Sequence, residues 1–238
     1  MNRRGVCAGA AALLAALALT LPAGAAASSS PHVGRGTSLA PHLLLIHGGS
    51  FLFQDPLFEP LTRERAVAAG FVPHYLNYPL DDLPAAVEAA RAEARRLNAR
   101  YPGRVYAYGT SAGGTLAALL AGDGMVQAAA AKAPISDLVG WKWPLDTYGA
   151  DYYERIGVTT LDRFRLSPLR RPAPRPLLIV HGRRDRIVPV AMSRQYAAKF
   201  KRVHLWVVQG GHHTERARPE LLIRAFQWLA HIAGATGR

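Results

Sequence analysis

The segment GTSAG at residues 109–113 places a serine between two glycines. A free serine hydroxyl is a weak nucleophile at neutral pH, but it becomes reactive when a neighbouring base accepts its proton. The segment follows an apolar run typical of a buried strand, RVYAY, and precedes a small-residue run that predicts a helix over 112–121. A G-x-S-x-G pattern at a strand-to-helix turn holds the serine in a sharp, strained turn at a helix N-terminus. We therefore predict that Ser111 is a nucleophile.

An acid and a base that could activate Ser111 follow later in the chain, each just after a predicted strand. Asp185 follows the strand LLIV and lies in HGRRDRIVP, and His212 follows the strand VHLWVV and lies in QGGHH. An imidazole that accepts a serine proton needs a carboxylate to fix its tautomer, and parallel strands bring their carboxyl ends to one edge. We prefer His212 over His213 as the base, because it directly follows the two glycines that bend the strand end.

Simpler explanations exist for these polar residues. Asp185 is flanked by two arginines and could form an ion pair in a loop, and the two histidines could be an exposed pair. Asp137 also follows a predicted strand and is the alternative acid. No acidic residue lies at zinc-protease spacing around the histidine pair, so we predict no metal site.

A second glycine-rich segment could stabilise negative charge on a substrate. The predicted strand HLLLI runs into HGGSF at residues 47–51, where glycine lets the backbone approach a substrate closely. Backbone N–H groups at such a position can donate to the oxyanion that forms when a hydroxyl attacks a carbonyl. We predict that the donors of this oxyanion hole are the N–H groups of Gly49, Ser50 and Ala112. His47 is interpreted as a structural residue.

Strands and helices alternate along the chain and would position these segments. Strands are predicted at 42–46, 71–76, 104–108, 126–132, 177–180 and 203–208, and helices at 61–69, 83–97, 112–121, 192–200 and 221–229. Short apolar runs separated by amphipathic helices are typical of a parallel sheet. The predicted fold class is α/β, with a mostly parallel sheet of about six to seven strands and helices on both faces.

The segment 136–171 interrupts this alternation and is rich in aromatic residues. An aromatic insertion between two core strands often covers a pocket. We predict a small cap that lines the substrate pocket with Trp141, Trp143 and Tyr148, together with Phe51 from the glycine-rich segment. The alternative is that these rings pack the insertion onto the body of the protein.

Residues 1–27 have the features of an export signal. Arg3 and Arg4 precede an uncharged run of alanine and leucine, which ends in small-x-small patterns typical of a cleavage site. An uncleaved membrane anchor is the alternative, because the run is long enough to span a bilayer. We predict a secreted or extracytoplasmic protein with a short lead-in over 28–40 and one domain over 41–235 that contains the insertion.

The composition narrows the classes of partner. The 238-residue chain has 29 Lys and Arg against 16 Asp and Glu, a formal net charge of +13, and one cysteine, Cys7. A single cysteine excludes a disulfide framework and a thiolate zinc site in the body of the chain. The scattered arginines lack the aromatic-interleaved basic motif of a nucleic-acid reader, so we predict no nucleic-acid partner. They permit electrostatic association with an anionic cell envelope.

Taken together, these segments resemble the α/β-hydrolase superfamily. The resemblance is closest to its HGG-motif branch of hormone-sensitive-lipase-like esterases, and more distant to the prolyl oligopeptidase clan. It covers roughly residues 41–232 and rests on HGGSF, GTSAGG, SPL, HGRRDRIVP and GGHH. It implies an α/β-hydrolase fold, with the nucleophile of the family at Ser111, its acid at Asp185 and its base at His212. The chain departs from the branch at Ser50, where a third glycine is usual.

The residues and the resemblance together predict a secreted serine hydrolase. It would cleave small carboxylic esters through an acyl-enzyme on Ser111 and would need no metal or organic cofactor. The same residues would also serve a peptidase or amidase, or an acyltransferase that acts on the cell envelope. Outside the enzymes, the alternative is a non-catalytic protein of this fold that binds an anionic surface.

Overall fold

The computed structural model describes residues 39–171, 175–213 and 219–236. The predicted export signal over 1–27, and the predicted lead-in up to residue 38, lie outside the described residues. Within the described ranges, no helix has the length and hydropathy that a membrane span requires.

Six parallel strands form a single sheet in the described chain, which confirms the predicted α/β class. Their order across the sheet is β2-β1-β3-β4-β5-β6. The strands are β1 (His42–Ile46), β2 (Val72–Leu76), β3 (Val105–Thr110), β4 (Ala129–Lys132), β5 (Leu177–Gly182) and β6 (Val203–Val208). Because the strands are parallel, their carboxyl ends lie at one edge, where the glycine-rich segment, the serine turn and the loops after β5 and β6 meet.

The helices connect the strands in the predicted alternation. They are α1 (Phe58–Ala68), α2 (Leu83–Arg100), α3 (Ala112–Gly122), α4 (Trp143–Tyr148), α5 (Tyr152–Arg155), α6 (Thr160–Arg165), α7 (Val190–Lys199) and α8 (Pro219–Thr236). Asp82 caps α2, because its carboxylate accepts a hydrogen bond of 2.8 Å from the N–H of Ala85. Pro84 lies in the first turn of the helix, where the missing N–H costs nothing.

Alternate side chains of the strands fill two separate cores. On β1, Leu44 and Ile46 pack on the face covered by α2, α3 and α7. Leu43 and Leu45 point the other way and pack with α1 and α8. All four leucine and isoleucine side chains are completely buried, as the continuous apolar run of a parallel strand requires. The predicted arrangement with helices on both faces is therefore confirmed.

The aromatic insertion over 136–171 folds into α4, α5, α6 and a 3-10 turn at Pro168–Arg170. The hydroxyl oxygen of Tyr153 lies 2.7 Å from the carbonyl oxygens of both Leu138 and Trp141. The indole N–H of Trp141 donates to the carbonyl of Ile187 at 2.8 Å. Trp141 and Tyr153 are both buried; Trp141 attaches the insertion to the body of the protein, and Tyr153 connects parts of the insertion to one another.

Candidate active site

Ser111 lies at the turn between β3 and α3, in the conformation that the G-x-S-x-G pattern predicts. Its backbone has φ 53° and ψ −118°, a strained geometry for a residue with a side chain. A Cβ on Gly109 would lie 2.1 Å from the carbonyl oxygen of Gly113, and a Cβ on Gly113 would lie 2.2 Å from that of Ile46. Both glycines are therefore required for the chain to turn this sharply beside β1.

His213, and not His212, is the histidine that faces Ser111. Its Nε2 lies 2.9 Å from Ser111 Oγ, and its Nδ1 lies 2.7 Å from Asp185 Oδ2. Because a carboxylate only accepts, Nδ1 carries the proton and Nε2 presents a lone pair to the serine hydroxyl. The side chain of His212 is exposed. The prediction of Ser111 and Asp185 as neighbours in one site agrees with this geometry, and the choice of His212 was wrong.

The turn after β6 explains this correction. Gly210 adopts φ 72°, a conformation that favours glycine, and the N–H of Gly211 donates back to the carbonyl of Val208. The carbonyl of Gly211 then accepts from the N–H of Arg184, and a Cβ on Gly182 would lie 2.5 Å from Gly211. Gly211 is thus packed against the end of β5 as part of the turn. The chain needs one residue more before a side chain can point at Ser111.

Asp185 is held as a buried carboxylate by four hydrogen-bond donors. Its Oδ1 accepts from the backbone N–H groups of Ile187 and Val188, both at 2.9 Å. Its Oδ2 faces His213 and also His181, whose Nε2 lies 3.2 Å away. Burial alone would raise the pKa of Asp185, but the hydrogen bonds from the two histidines outweigh it and hold the pKa well below its ordinary value.

Sequence reasoning missed His181, which contacts Asp185 in addition to His213. Its ring is fully buried, with Nδ1 2.7 Å from Ser193 Oγ and Nε2 2.8 Å from the carbonyl of Val188. The sequence did contain a signal for it, because a histidine at the end of an otherwise apolar strand is buried and needs polar partners. The alternative acid, Asp137, lies away from this group and forms an ion pair of 3.4 Å with Arg170.

The glycine-rich segment after β1 lies directly beside the serine. A Cβ on Gly48 would be 3.3 Å from that of Ser111. Gly49, Ser50 and Phe51 all have positive φ, at 122°, 53° and 61°. In the described chain, no residue accepts a hydrogen bond from the backbone N–H of Gly49, Ser50 or Ala112. The three groups predicted as oxyanion donors are thus not engaged by any described acceptor.

Two tyrosine side chains and one histidine side chain form hydrogen bonds with the carbonyl groups of this segment. The hydroxyl of Tyr152 donates to the carbonyl of Ser50 at 2.7 Å, and that of Tyr78 lies 3.1 Å from the carbonyl of His47. His47 stacks on Tyr78 with ring centroids 4.3 Å apart, and its Nδ1 lies 2.6 Å from the carbonyl of Gly48. Burial lowers the pKa of His47. These contacts agree with a structural role for His47.

A cavity of about 310 Å³ opens at Ser111. Trp143 and Tyr148 line it, as predicted. Phe51 and Trp141 do not line it, and both are completely or almost completely buried in the core. Phe51 packs in the core on one face of the sheet, and the indole N–H of Trp141 donates to the carbonyl of Ile187 in the body of the protein. The prediction of these two residues as pocket residues is therefore wrong.

The family of the chain follows from its sequence match. Residues 73–236, which extend from β2 into α8, match the prolyl oligopeptidase family. The chain belongs to the prolyl oligopeptidase family. Membership in this family makes the chain a hydrolase of α/β fold. It also agrees with the more distant of the two resemblances, to the prolyl oligopeptidase clan. The narrower HGG-motif esterase branch stays a prediction. No curated protein matches the sequence significantly.

Solved structures of similar fold include other α/β hydrolases. Esterase 2 of Thermogutta terrifontis phosphonylated by sarin superposes with a TM-score of 0.71 and 18% identity, over 84% of this chain and 87% of that chain. The acetyl ester-xyloside bifunctional hydrolase of Caldicellulosiruptor lactoaceticus gives a TM-score of 0.70 and 18% identity, over 84% and 85%. The propionate-bound esterase from Thermogutta terrifontis gives 0.65 and 22%, over 83% and 84%. At these identities the similarity establishes the fold of this prolyl oligopeptidase family member.

Proposed function

We propose that the chain is a serine hydrolase that cleaves small carboxylic esters through an acyl-enzyme on Ser111. The observation behind the proposal is the unbroken hydrogen-bonded series from Ser111 through His213 to Asp185. An activated serine needs a base in contact with its hydroxyl and an acid that fixes the tautomer of that base. This series supplies both, at the carboxyl edge of a rigid parallel sheet.

The reaction follows from this arrangement. Nε2 of His213 accepts the proton of Ser111 as Oγ bonds to the carbonyl carbon, and the carbonyl electron pair moves onto the oxygen. When the tetrahedral species collapses, the bond to the alkoxy group breaks, and the leaving oxygen takes the proton from His213. Water then attacks the acyl-enzyme with the same base, which restores Ser111. Asp185 stays ionised throughout and stabilises the imidazolium.

The N–H groups of Gly49, Ser50 and Ala112 are the proposed donors to the oxyanion. They flank Ser111 from two sides, because the glycine-rich segment lies against the serine turn. Loss of one such donor typically costs about 3 kcal/mol of transition-state stabilisation. The carbonyl groups of His47, Gly48 and Ser50 form hydrogen bonds with tyrosine and histidine side chains. These bonds fix the backbone of the segment and thereby hold its N–H groups in place.

A peptidase or amidase is the second candidate, because the chain belongs to a family named for peptidases. The two activities share the nucleophile and differ in the bond cleaved. The similar structures are those of an esterase and an acetyl ester-xyloside hydrolase, which favours the ester. Initial rates with p-nitrophenyl acetate and with an aminoacyl p-nitroanilide, measured on one preparation, separate the two.

Labelling with a fluorophosphonate probe tests the proposed nucleophile directly. We expect one covalent adduct per chain, located on Ser111 by mass spectrometry of the digested protein, together with loss of p-nitrophenyl acetate turnover in proportion to labelling. The probe reacts with an activated serine and spares an ordinary one. A protein that only binds an anionic surface would remain unlabelled, and that result would reject the proposal.

Tyr152→Phe is expected to lower kcat for p-nitrophenyl acetate by about tenfold, the value of one lost buried hydrogen bond, with KM almost unchanged. The hydroxyl of Tyr152 donates to the carbonyl of Ser50, and it thereby holds the backbone of a residue whose own N–H we assign to the oxyanion hole. Such donors act on the transition state more than on the bound ester, so the effect falls on kcat. Initial-rate kinetics provide both constants.

Tyr153→Phe is the matched control for this prediction. Its hydroxyl is equally buried but contacts the carbonyl groups of Leu138 and Trp141 within the insertion. We expect its loss to lower the free energy of unfolding and to leave kcat within about twofold, because no contact to the glycine-rich segment is removed. Equal kcat in the two variants would show that Tyr152 does not position the oxyanion donors.

A further inference from the structure

The cavity at Ser111 is lined in part by the core on one face of the sheet. Five of its lining residues belong to the core that α1 and α8 cover; they are Phe58, Tyr108, Val180, Leu221 and Ala225. The insertion contributes Trp143 and Tyr148 at the mouth. Helices α1 and α8 thus contribute more of the lining than the insertion does.

The walls of this side are largely apolar, and several of their polar groups have partners within the protein. The hydroxyl of Thr62 donates to the carbonyl of Phe58, and Arg65 donates to the carbonyl of Leu61. Asp55 and Lys132, which also line the cavity, have interactions of their own. Because most of this lining is apolar, it favours a hydrocarbon group.

We propose that the space between α1 and α8 binds the acyl chain of the substrate, and that Ala225 limits the length of that chain. The inference rests on the proposed ester hydrolysis at Ser111. The leaving alcohol departs after the first step, whereas the acyl group stays bonded to Ser111 through both steps. An apolar space next to Ser111 therefore contributes most when it holds the acyl group. The substrate class is therefore esters of apolar, medium-length acids.

Ala225 is almost fully buried on α8 and lies in the wall of the cavity. Ala225→Leu should fill the space that a longer acyl chain would occupy. Each methylene bound in an apolar pocket contributes about a threefold to fourfold increase in kcat/KM. For the wild-type chain we expect kcat/KM to rise from p-nitrophenyl acetate through butyrate to hexanoate. In Ala225→Leu, the ratio of hexanoate to acetate should fall by about tenfold.

Three further variants make the result decisive. Ala230→Leu introduces the same change on the same helix outside the lining, so its hexanoate-to-acetate ratio should equal that of the wild type. Leu222→Ala, at a half-buried lining position, should raise the ratio of octanoate to butyrate. Trp143→Ala opens the insertion side and should leave the length preference in place.

The outcomes separate this inference from the proposed function. Failure of the wild-type chain to hydrolyse any of these esters contradicts ester hydrolysis itself. Normal hydrolysis of acetate with an unchanged ratio in both Ala225→Leu and Leu222→Ala overturns the acyl site and leaves the nucleophile intact. A ratio that responds to Trp143→Ala alone overturns it too, because the chain then lies under the insertion.

Discussion

Replacing His213 by alanine is expected to lower kcat for p-nitrophenyl acetate by at least about 10⁴-fold. Within the described residues, His213 is the base that contacts Ser111 Oγ, at 2.9 Å. Without it, the hydroxyl must lose its proton to water, and neither Ser111 nor the deacylating water is activated. The nitrophenolate leaves without protonation, so the loss with this ester is a lower limit, and a less activated alkyl ester should lose more.

His212→Ala provides the matched control, since it removes the same side chain one residue away. The imidazole of His212 is exposed, and it is His213 that contacts both Ser111 and Asp185. We expect kcat within about threefold of the wild type, as for a surface substitution. Circular dichroism and thermal unfolding of both variants check that folding is retained. Loss of activity in His212→Ala with retention in His213→Ala would contradict the structure of the site.

The apolar runs of the sequence were sufficient to predict the sheet. The five residues of β1 and the six of β6 have the predicted bounds, because each is a short apolar run between turn residues. β4 begins at Ala129, three residues later than predicted. An alanine-rich segment has no large side chains to mark where pairing starts, so its boundary depends on the neighbouring strands β3 and β5.

The site could be predicted where a residue type alone determines position, and not where a backbone turn does. Ser111 lies between two positions at which any Cβ atom would collide with backbone, so both must be glycine, and the two glycines can be seen in the sequence. The choice between His212 and His213 depends on how many residues the turn after β6 contains. That number is set by the packing of Gly211, in the turn, against Gly182 at the end of β5, a contact that local sequence does not encode.

The pocket was the least predictable part, because it is formed by side chains far apart in the sequence. Aromatic content pointed to the insertion, yet Trp141 is buried and binds the carbonyl of Ile187 in the body of the protein. Helices α1 and α8, which pack on one face of the sheet, contribute more of the lining than the insertion does. The proposed preference for acyl length therefore depends on two helices, α1 and α8, that no sequence motif marks.

Replacing Ser111 by alanine is expected to abolish labelling by the fluorophosphonate probe and to reduce ester turnover as strongly as His213→Ala does. Alanine keeps the Cβ of serine and lacks only the Oγ, so the strained turn at φ 53° has the same steric demands. Residual turnover above that of buffer would come from the oxyanion donors and from binding. The measurement is the initial rate at saturating p-nitrophenyl acetate, with probe fluorescence recorded on the same samples.

The double variant Ser111→Ala/His213→Ala decides whether the two residues act as one unit. Because His213 serves only to activate the Ser111 hydroxyl and its leaving group, removing it after Ser111 has gone should cost almost nothing more. Independent contributions would instead multiply, and the double variant would then fall below either single variant by a further large factor. Such a result would mean that His213 acts by a route other than the 2.9 Å contact to Ser111, for example as a base for direct attack by water. Equal rates in all three variants require that proton transfer pass through the serine oxygen, as the hydrogen-bonded series from Ser111 to Asp185 implies.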